Sequence, residues 1–315
     1  MKKAIFIFIL LFVQLSSWGQ IKRTPEQDSL IAQTNRKTKW DHENMMVQLG
    51  ITSLRTGASG TATAPNAANY DESKAVIFPN LPALLTTKDG LKVSSKKMWE
   101  RVRRPELFEE FDREIYGRVP SNTPKVQWVV VSTKDDKVGN TDVTVQKLQG
   151  IVDNSIFPSI EVKMDLTLTL PKQSLKPVPV IVELSFVFPA GMRPPVVPNA
   201  PVEPTWQEQV VSRGWGFATI IPTSIQADNG AGLTKGIIGL MNKGQNRKPD
   251  DWGSLRAWAW GTSRMLDFFA SQKQIDAKKI ALMGHSRYGK AVAVAVAYDP
   301  RFATAFVSSS GEGGL

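Results

Sequence analysis

The chain has 315 residues, 42% of them hydrophobic, enough for one large globular domain with an extension. It has no cysteine, which excludes disulfides and a lipid-modified cysteine, and its two histidines, His42 and His285, stand far apart, so no metal site is evident and no cofactor is expected. The formal net charge is +10, but the basic residues are scattered and no nucleic-acid-binding motif occurs; a nucleic-acid partner is not expected, and acidic polysaccharides suit such a surface equally well.

In chain order, Met1-Lys2-Lys3, the apolar run from Ala4 to Val13 and the polar exit Ser16-Ser17-Trp18-Gly19-Gln20 read as a signal peptide over residues 1–20. The apolar run falls short of the ~20 residues a membrane span needs. The expected protein is therefore secreted or periplasmic, with no membrane insertion after cleavage, and is expected to be a monomer. Residues 21–90 carry turn formers and small residues and read as an irregular arm. A helix is predicted over Ser95–Tyr116, with Trp99, Val102, Leu107, Phe108, Phe111 and Ile115 as its apolar stripe, Pro105 disturbing the middle and Gly117 as its stop. The arm and this helix, residues 21–120, are expected to pack on a main domain of residues 121–315.

From Val126 the texture is β. Strands are predicted at Val126–Ser132, Thr141–Leu148 and Val162–Leu170, the last alternating from Asp165 to Leu170 as a half-buried strand does. Val178–Leu184 is a continuous apolar run, suited to a central strand covered on both faces. A helix near Trp206–Arg213, a strand at Phe217–Ile221, a helix at Trp252–Ser271, a strand at Lys279–Gly284, a helix at Lys290–Tyr298 and a strand at Ala303–Ser308 follow. Antiparallel strands and then β and α in alternation define the fold class as α/β, with a mostly parallel sheet flanked by helices.

A strand, a sharp turn and a helix meet at Gly284-His285-Ser286-Arg287-Tyr288-Gly289-Lys290, with Ser286 at the apex. That is the layout of a nucleophile elbow: the turn lifts the serine Oγ off the sheet and sets backbone N–H groups of the helix start beside it, where they can hold an oxyanion. The common spacing is G-x-S-x-G, and here the second glycine falls one place late. A serine at an ordinary helix N-cap is the bland alternative. Arg287 would be a cation in the first turn of a helix, where the dipole favours anions, so a functional role beside the nucleophile is the better reading.

These residues resemble the G-x-S-R-x-G-K elbow of the glucuronoyl esterases, carbohydrate esterase family 15. Arg103-Arg104-Pro105-Glu106, Arg113–Pro120, Asp228–Thr234, Asp251–Gly261 and Ser309–Gly314 resemble other stretches of that family, and the likeness runs over roughly residues 40–315. It implies an α/β-hydrolase and a two-step ester hydrolysis through an acyl-enzyme on Ser286, with Arg287 helping to hold the oxyanion and Lys290 binding sugar hydroxyls. The implied substrate is the ester between 4-O-methyl-glucuronic acid of glucuronoxylan and a lignin alcohol. Many family members carry a glutamate where this chain has Ser309; Glu312 is the candidate acid nearby, a structural or substrate-side role being its alternative. The family's histidine would follow Leu315, so the chain is expected to be truncated at its C-terminus. His285 sits beside the nucleophile and His42 precedes it, against the usual Ser, acid, His order.

Two other readings remain. One is an acetyl-xylan or other carbohydrate esterase on the same fold; the other is an inactive fragment that binds carbohydrate. Asp228, Asp250 and Asp251 are read as loop hydrogen-bonding and helix-capping residues rather than glycosidase carboxylates, and Trp252, Trp258 and Trp260 as core rather than sugar platforms.

Overall fold

A computed structural model of the chain describes residues 24–74, 82–187 and 203–311. The expected signal peptide lies outside them, as does Glu312. No helix among the described residues is long and apolar enough to cross a membrane.

Seven strands form one sheet: β1 (Val126–Val138), β2 (Thr141–Val152), β3 (Lys163–Pro171), β4 (Val178–Leu184), β5 (Gly216–Ile220), β6 (Ile275–His285) and β7 (Thr304–Ser308). Their order is β1-β2-β3-β5-β4-β6-β7. β1, β2, β3 and β5 pair antiparallel in turn, whereas β5, β4, β6 and β7 run parallel. The predicted strands are all present, and Val178–Leu184 has the bounds read from the sequence.

The expectation that this run is covered on both faces does not hold. Val178, Val180, Val182 and Leu184 are buried, but Ile181 and Glu183 on the alternate face are only half-buried. The reason lies in the layers. The long helices α5 (Ser254–Ser271) and α6 (Arg287–Tyr298) pack against each other and against β6, where Trp258, Leu266, Phe269, Val292 and Ala295 close the core over Ile280 and Leu282. Across the sheet, Trp206 and Val210 of the shorter helix α3 (Trp206–Ser212) border a shallow apolar depression of about 550 Å³ floored by Ile181 and Met283. Helix α4 (Gly236–Met241) buries Ile237, Ile238 and Leu240 in the core.

The arm departs from expectation. Residues Pro25–Gln48, expected to be irregular, form a 24-residue helix, α1. Thr24 caps it by accepting from the Gln27 N–H, the Gln27 side chain returns a bond to the Thr24 N–H, and Pro25 stands in the first turn. α1 buries no residue fully; its half-buried positions Thr34, Thr38, Asp41, Asn44, Met45 and Met46 fall at helical spacing but are mostly polar, so no hydrophobic stripe marks it.

The helix predicted at Ser95–Tyr116 is present as a continuous helical run from Lys96 to Tyr116, with α2 (Arg104–Phe111) between wider π-helical turns. Pro105 falls inside this run, at the step from the first π-helical turn into α2, so the expected disturbance of the middle coincides with a change of helical register. Gly117 stops the run at φ +78, and a Cβ there would run into the Asp251 carbonyl, so a side chain has no room. Arg118 then forks onto both carboxylate oxygens of Glu109 at 2.6 and 2.7 Å and reaches Asp250 at 2.8 Å, joining this segment to the start of α5.

Candidate active site

The turn from β6 into α6 carries Ser286. Its backbone adopts φ +57 and ψ −129, a conformation that side-chain-bearing residues rarely take and that costs on the order of 1–3 kcal/mol. The strand and helix enforce it. The Ser286 N–H donates to the Ser308 carbonyl of β7 at 2.8 Å, and the Ser286 carbonyl accepts from Lys290 N–H as the first α6 hydrogen bond. Ser286 stands at the N-cap position of α6 but makes no side-chain capping hydrogen bond, unlike the ordinary capping serine of the bland alternative.

The late glycine has a physical reason. A Cβ on Gly284 would meet the backbone of Tyr288 and Gly289, and one on Gly289 would lie 3.0 Å from the Ser308 carbonyl and 3.1 Å from that of Gly284. The helix therefore touches the two strands at position 289. Position 288, the usual second small residue, turns inward and takes a large ring: Tyr288 is buried, 4.2 Å between centroids from Phe186 and edge-on to Trp258 at 5.2 Å. Burial pushes the Tyr288 phenol above its ordinary pKa.

Beside the elbow is a cavity of about 510 Å³, lined among others by Tyr116, Asp228, Arg247, Ser254, Trp258, Arg287 and Lys290. Arg287 and Lys290, expected to act on substrate, both face it. Arg287 is not a loose surface cation: its guanidinium donates to the Asp228 carboxylate at 2.6 Å. Asp228 lies on the loop after β5, which a buried amide holds. The Gln226 side chain donates to the Gly232 carbonyl at 2.8 Å and accepts from Ile238 N–H at 3.0 Å, while the Gln226 carbonyl accepts from the Trp258 indole at 2.8 Å. From outside, Thr38 of α1 accepts from the Ala231 N–H at 3.1 Å. Asp41 of α1 packs near Gly230 and Arg247, and burial holds its carboxyl above the ordinary value.

Trp252, Trp258 and Trp260 are core residues as expected, 0, 1 and 5% exposed, though Trp258 also forms part of the cavity wall. Asp250 and Asp251 do not cap α5, whose N-cap is Gly253 without a side-chain bond. Asp250 holds Arg118, and Asp251 accepts from Asn242 and the Lys248 N–H, because the chain must turn here to pass Gly117. The His285 ring is 3.2 Å from Ser308 Oγ, and His42 is exposed on α1; neither hydrogen-bonds Ser286 among the described contacts. Glu312 lies outside the described residues; Ser309, at φ +45, directly follows the strand that accepts the Ser286 N–H. Gln226 and α1 escaped sequence reading. The Thr24–Gln27 capping box was the available signal for α1, and an isolated glutamine gives none.

A mostly parallel half-sheet flanked by helices, with a strained serine at the strand-to-helix turn, defines the class: an α/β-hydrolase fold. The chain belongs to the glucuronoyl esterases of carbohydrate esterase family 15. The family model for glucuronyl esterase of fungi matches residues 245–315. A family 15 glucuronoyl esterase from Teredinibacter turnerae T7901 is 41% identical, with a TM-score of 0.78 over 88% of this chain and 67% of that one. A glucuronoyl esterase from Solibacter usitatus is 34% identical, with a TM-score of 0.66 over 78% of this chain and 67% of that one. Carbohydrate esterase MZ0003, from an unknown prokaryotic organism, is 30% identical over 79% of this chain and 62% of its own length. The chain thus spans about 62% of the length of that curated relative.

Proposed function

We propose that this protein is a serine esterase that hydrolyses esters of glucuronic acid, the substrate class being the 4-O-methyl-glucuronoyl groups that link glucuronoxylan to lignin alcohols. The carrying observation is Ser286 at φ +57 on the strand-to-helix turn, with Arg287 and Lys290 facing the adjoining cavity. The names of the Teredinibacter and Solibacter relatives support the glucuronoyl ester.

In this reading Ser286 Oγ bonds to the ester carbonyl carbon while a base takes its proton. Charge gathers on the carbonyl oxygen. The first-turn N–H groups of α6, which a helix leaves without intrahelical acceptors, and the Arg287 guanidinium are the donors suited to hold it. The alcohol leaves with a proton, and water then releases the acid and restores Ser286. Lys290, one turn along α6, is placed to bind sugar hydroxyls. The amino-terminal pattern of residues 1–20 supports export to where plant-wall polymers occur.

The test compares benzyl glucuronate with an acetylated xylose, each with wild-type protein and with Ser286→Ala. Release of benzyl alcohol that the substitution abolishes is the expected result. Cleavage of the acetate alone would replace the substrate class with acetyl-xylan, and activity surviving in Ser286→Ala would remove the elbow assignment. Sugar binding without turnover would favour the carbohydrate-binding reading.

A further inference from the structure

Hydrolysis turns a neutral ester carboxyl into an anion. A site that stabilises a transient oxyanion with cations also attracts its own product. Here the cavity beside Ser286 is lined by three cations, Arg247, Arg287 and Lys290. Their surroundings differ. Arg247 lies near Asp41 of α1. Lys290 follows Arg287 by one turn of α6. Arg287, adjacent to the nucleophile, is met by Asp228 at 2.6 Å, and Asp228 itself lines the cavity.

We propose that Asp228 is a specificity-determining residue that makes the site favour the neutral glucuronoyl ester over the free glucuronate product, by setting a fixed negative charge against Arg287 on the cavity wall. This rests on the glucuronoyl-ester reading. An oxyanion on a substrate carbonyl forms at bonding distance from its donors and stays paired with them. A free carboxylate carries a full charge spread over two oxygens and meets the Asp228 charge on the same cavity wall, where like charges repel. The pair is partly exposed, with side chains 55 and 32% accessible, so its worth to folding is small; its lasting effect is on the charge a ligand sees. The loop keeps Asp228 there. The Gln226 bonds from within and the Thr38 bond from α1 hold residues 226–232 in place. Asn229 adds a cap by accepting from Gly232 N–H at 2.9 Å. Asp228 thus does not depend on Arg287 for its position.

The test reads binding, so turnover is not required. In a Ser286→Ala background, dissociation constants for methyl glucuronate and for sodium glucuronate are measured by calorimetry, with and without Asp228→Asn. The expected result is that Asp228→Asn tightens glucuronate by roughly 5- to 10-fold at low salt and changes the methyl ester by less than about 2-fold, the gain shrinking as salt screens the charges. Asp228→Glu, which keeps the charge, should retain the parental preference, and adding Arg287→Gln to Asp228→Asn should cancel the gain. Unchanged glucuronate affinity, or equal shifts for both ligands, overturns the proposal while leaving the substrate class standing. If neither ligand binds the Ser286→Ala protein, the substrate class fails and the proposal falls with it.

Discussion

Gly284 and Tyr288 are in contact through backbone: a Cβ built on Gly284 would stand 2.5 Å from the Tyr288 carbonyl oxygen. No side-chain rotation relieves such a clash, so β6 and α6 would have to separate. Gly284→Ala should therefore destabilise the fold by more than about 4 kcal/mol, the range reserved for severe core damage. Gly289→Ala, whose Cβ would sit at 3.0 Å, should cost roughly 1–2 kcal/mol. Denaturant melts of the two variants check the order; equal effects would mean that the strand and helix are not tightly apposed at Gly284.

The strain at Ser286 separates chemistry from stability. Ser286→Ala and Ser286→Gly both remove the hydroxyl proposed as nucleophile and should both be inactive. Only glycine accepts φ +57 with ψ −129 freely, so Ser286→Gly should be more stable than Ser286→Ala by about 1 kcal/mol, a rise in Tm of roughly 1–2 °C for a chain of this length. Equal Tm values would show that the turn is unstrained.

Gln226 is fully buried and its amide satisfies two backbone groups. Gln226→Leu keeps the bulk but leaves the Gly232 carbonyl and Ile238 N–H unpaired, at about 1–3 kcal/mol each. The variant should melt several degrees lower. It should also lose ester hydrolysis more steeply than global stability explains, because Asp228 rides on the same loop. Calorimetry alongside kinetics at a temperature well below both melts tests this.

Glu183, half-buried at the end of β4, has its carboxyl raised by burial alone. In the folded state the proton is held more tightly than in the unfolded chain, where a glutamate titrates near 4.3. The folded protein binds more protons between the two values, so this residue's contribution to stability declines as pH rises through that window and stays reduced above it. Glu183→Gln should raise Tm at pH 7 and leave it nearly unchanged at pH 4. Parallel Tm–pH curves for the two proteins would remove burial as the cause.

Much of this architecture was readable from pattern. The run Val178–Leu184 and the alternation from Asp165 to Leu170 place two strands because packing against helices demands those periods. The elbow was legible despite its spacing, since an apolar strand, a serine and an Ala/Val-rich helix in close succession leave the chain little choice but a sharp turn at the serine. Three features were hidden for physical reasons. α1 packs mostly through polar residues, Thr34, Thr38, Asp41 and Asn44, with methionines only in its last turn, so it has no apolar period to find. The half-open face of β4 depends on which elements cover it, which strand composition cannot reveal. The Asp228–Arg287 pair joins residues 59 positions apart, and only the sheet order brings their loops together.

The polar seating of α1 also sets a hierarchy of opening. With no residue fully buried, this helix should exchange its amide hydrogens long before β4 or β6, and its unfolding should be a separate, low-energy event rather than part of global melting. Because Thr38 is bonded to Ala231, each such opening would unlatch one side of the Asp228 loop. A sugar that binds only the latched cavity would then slow exchange in a helix it need not touch, so amide protection along residues 25–48 becomes a distant gauge of occupancy at Ser286.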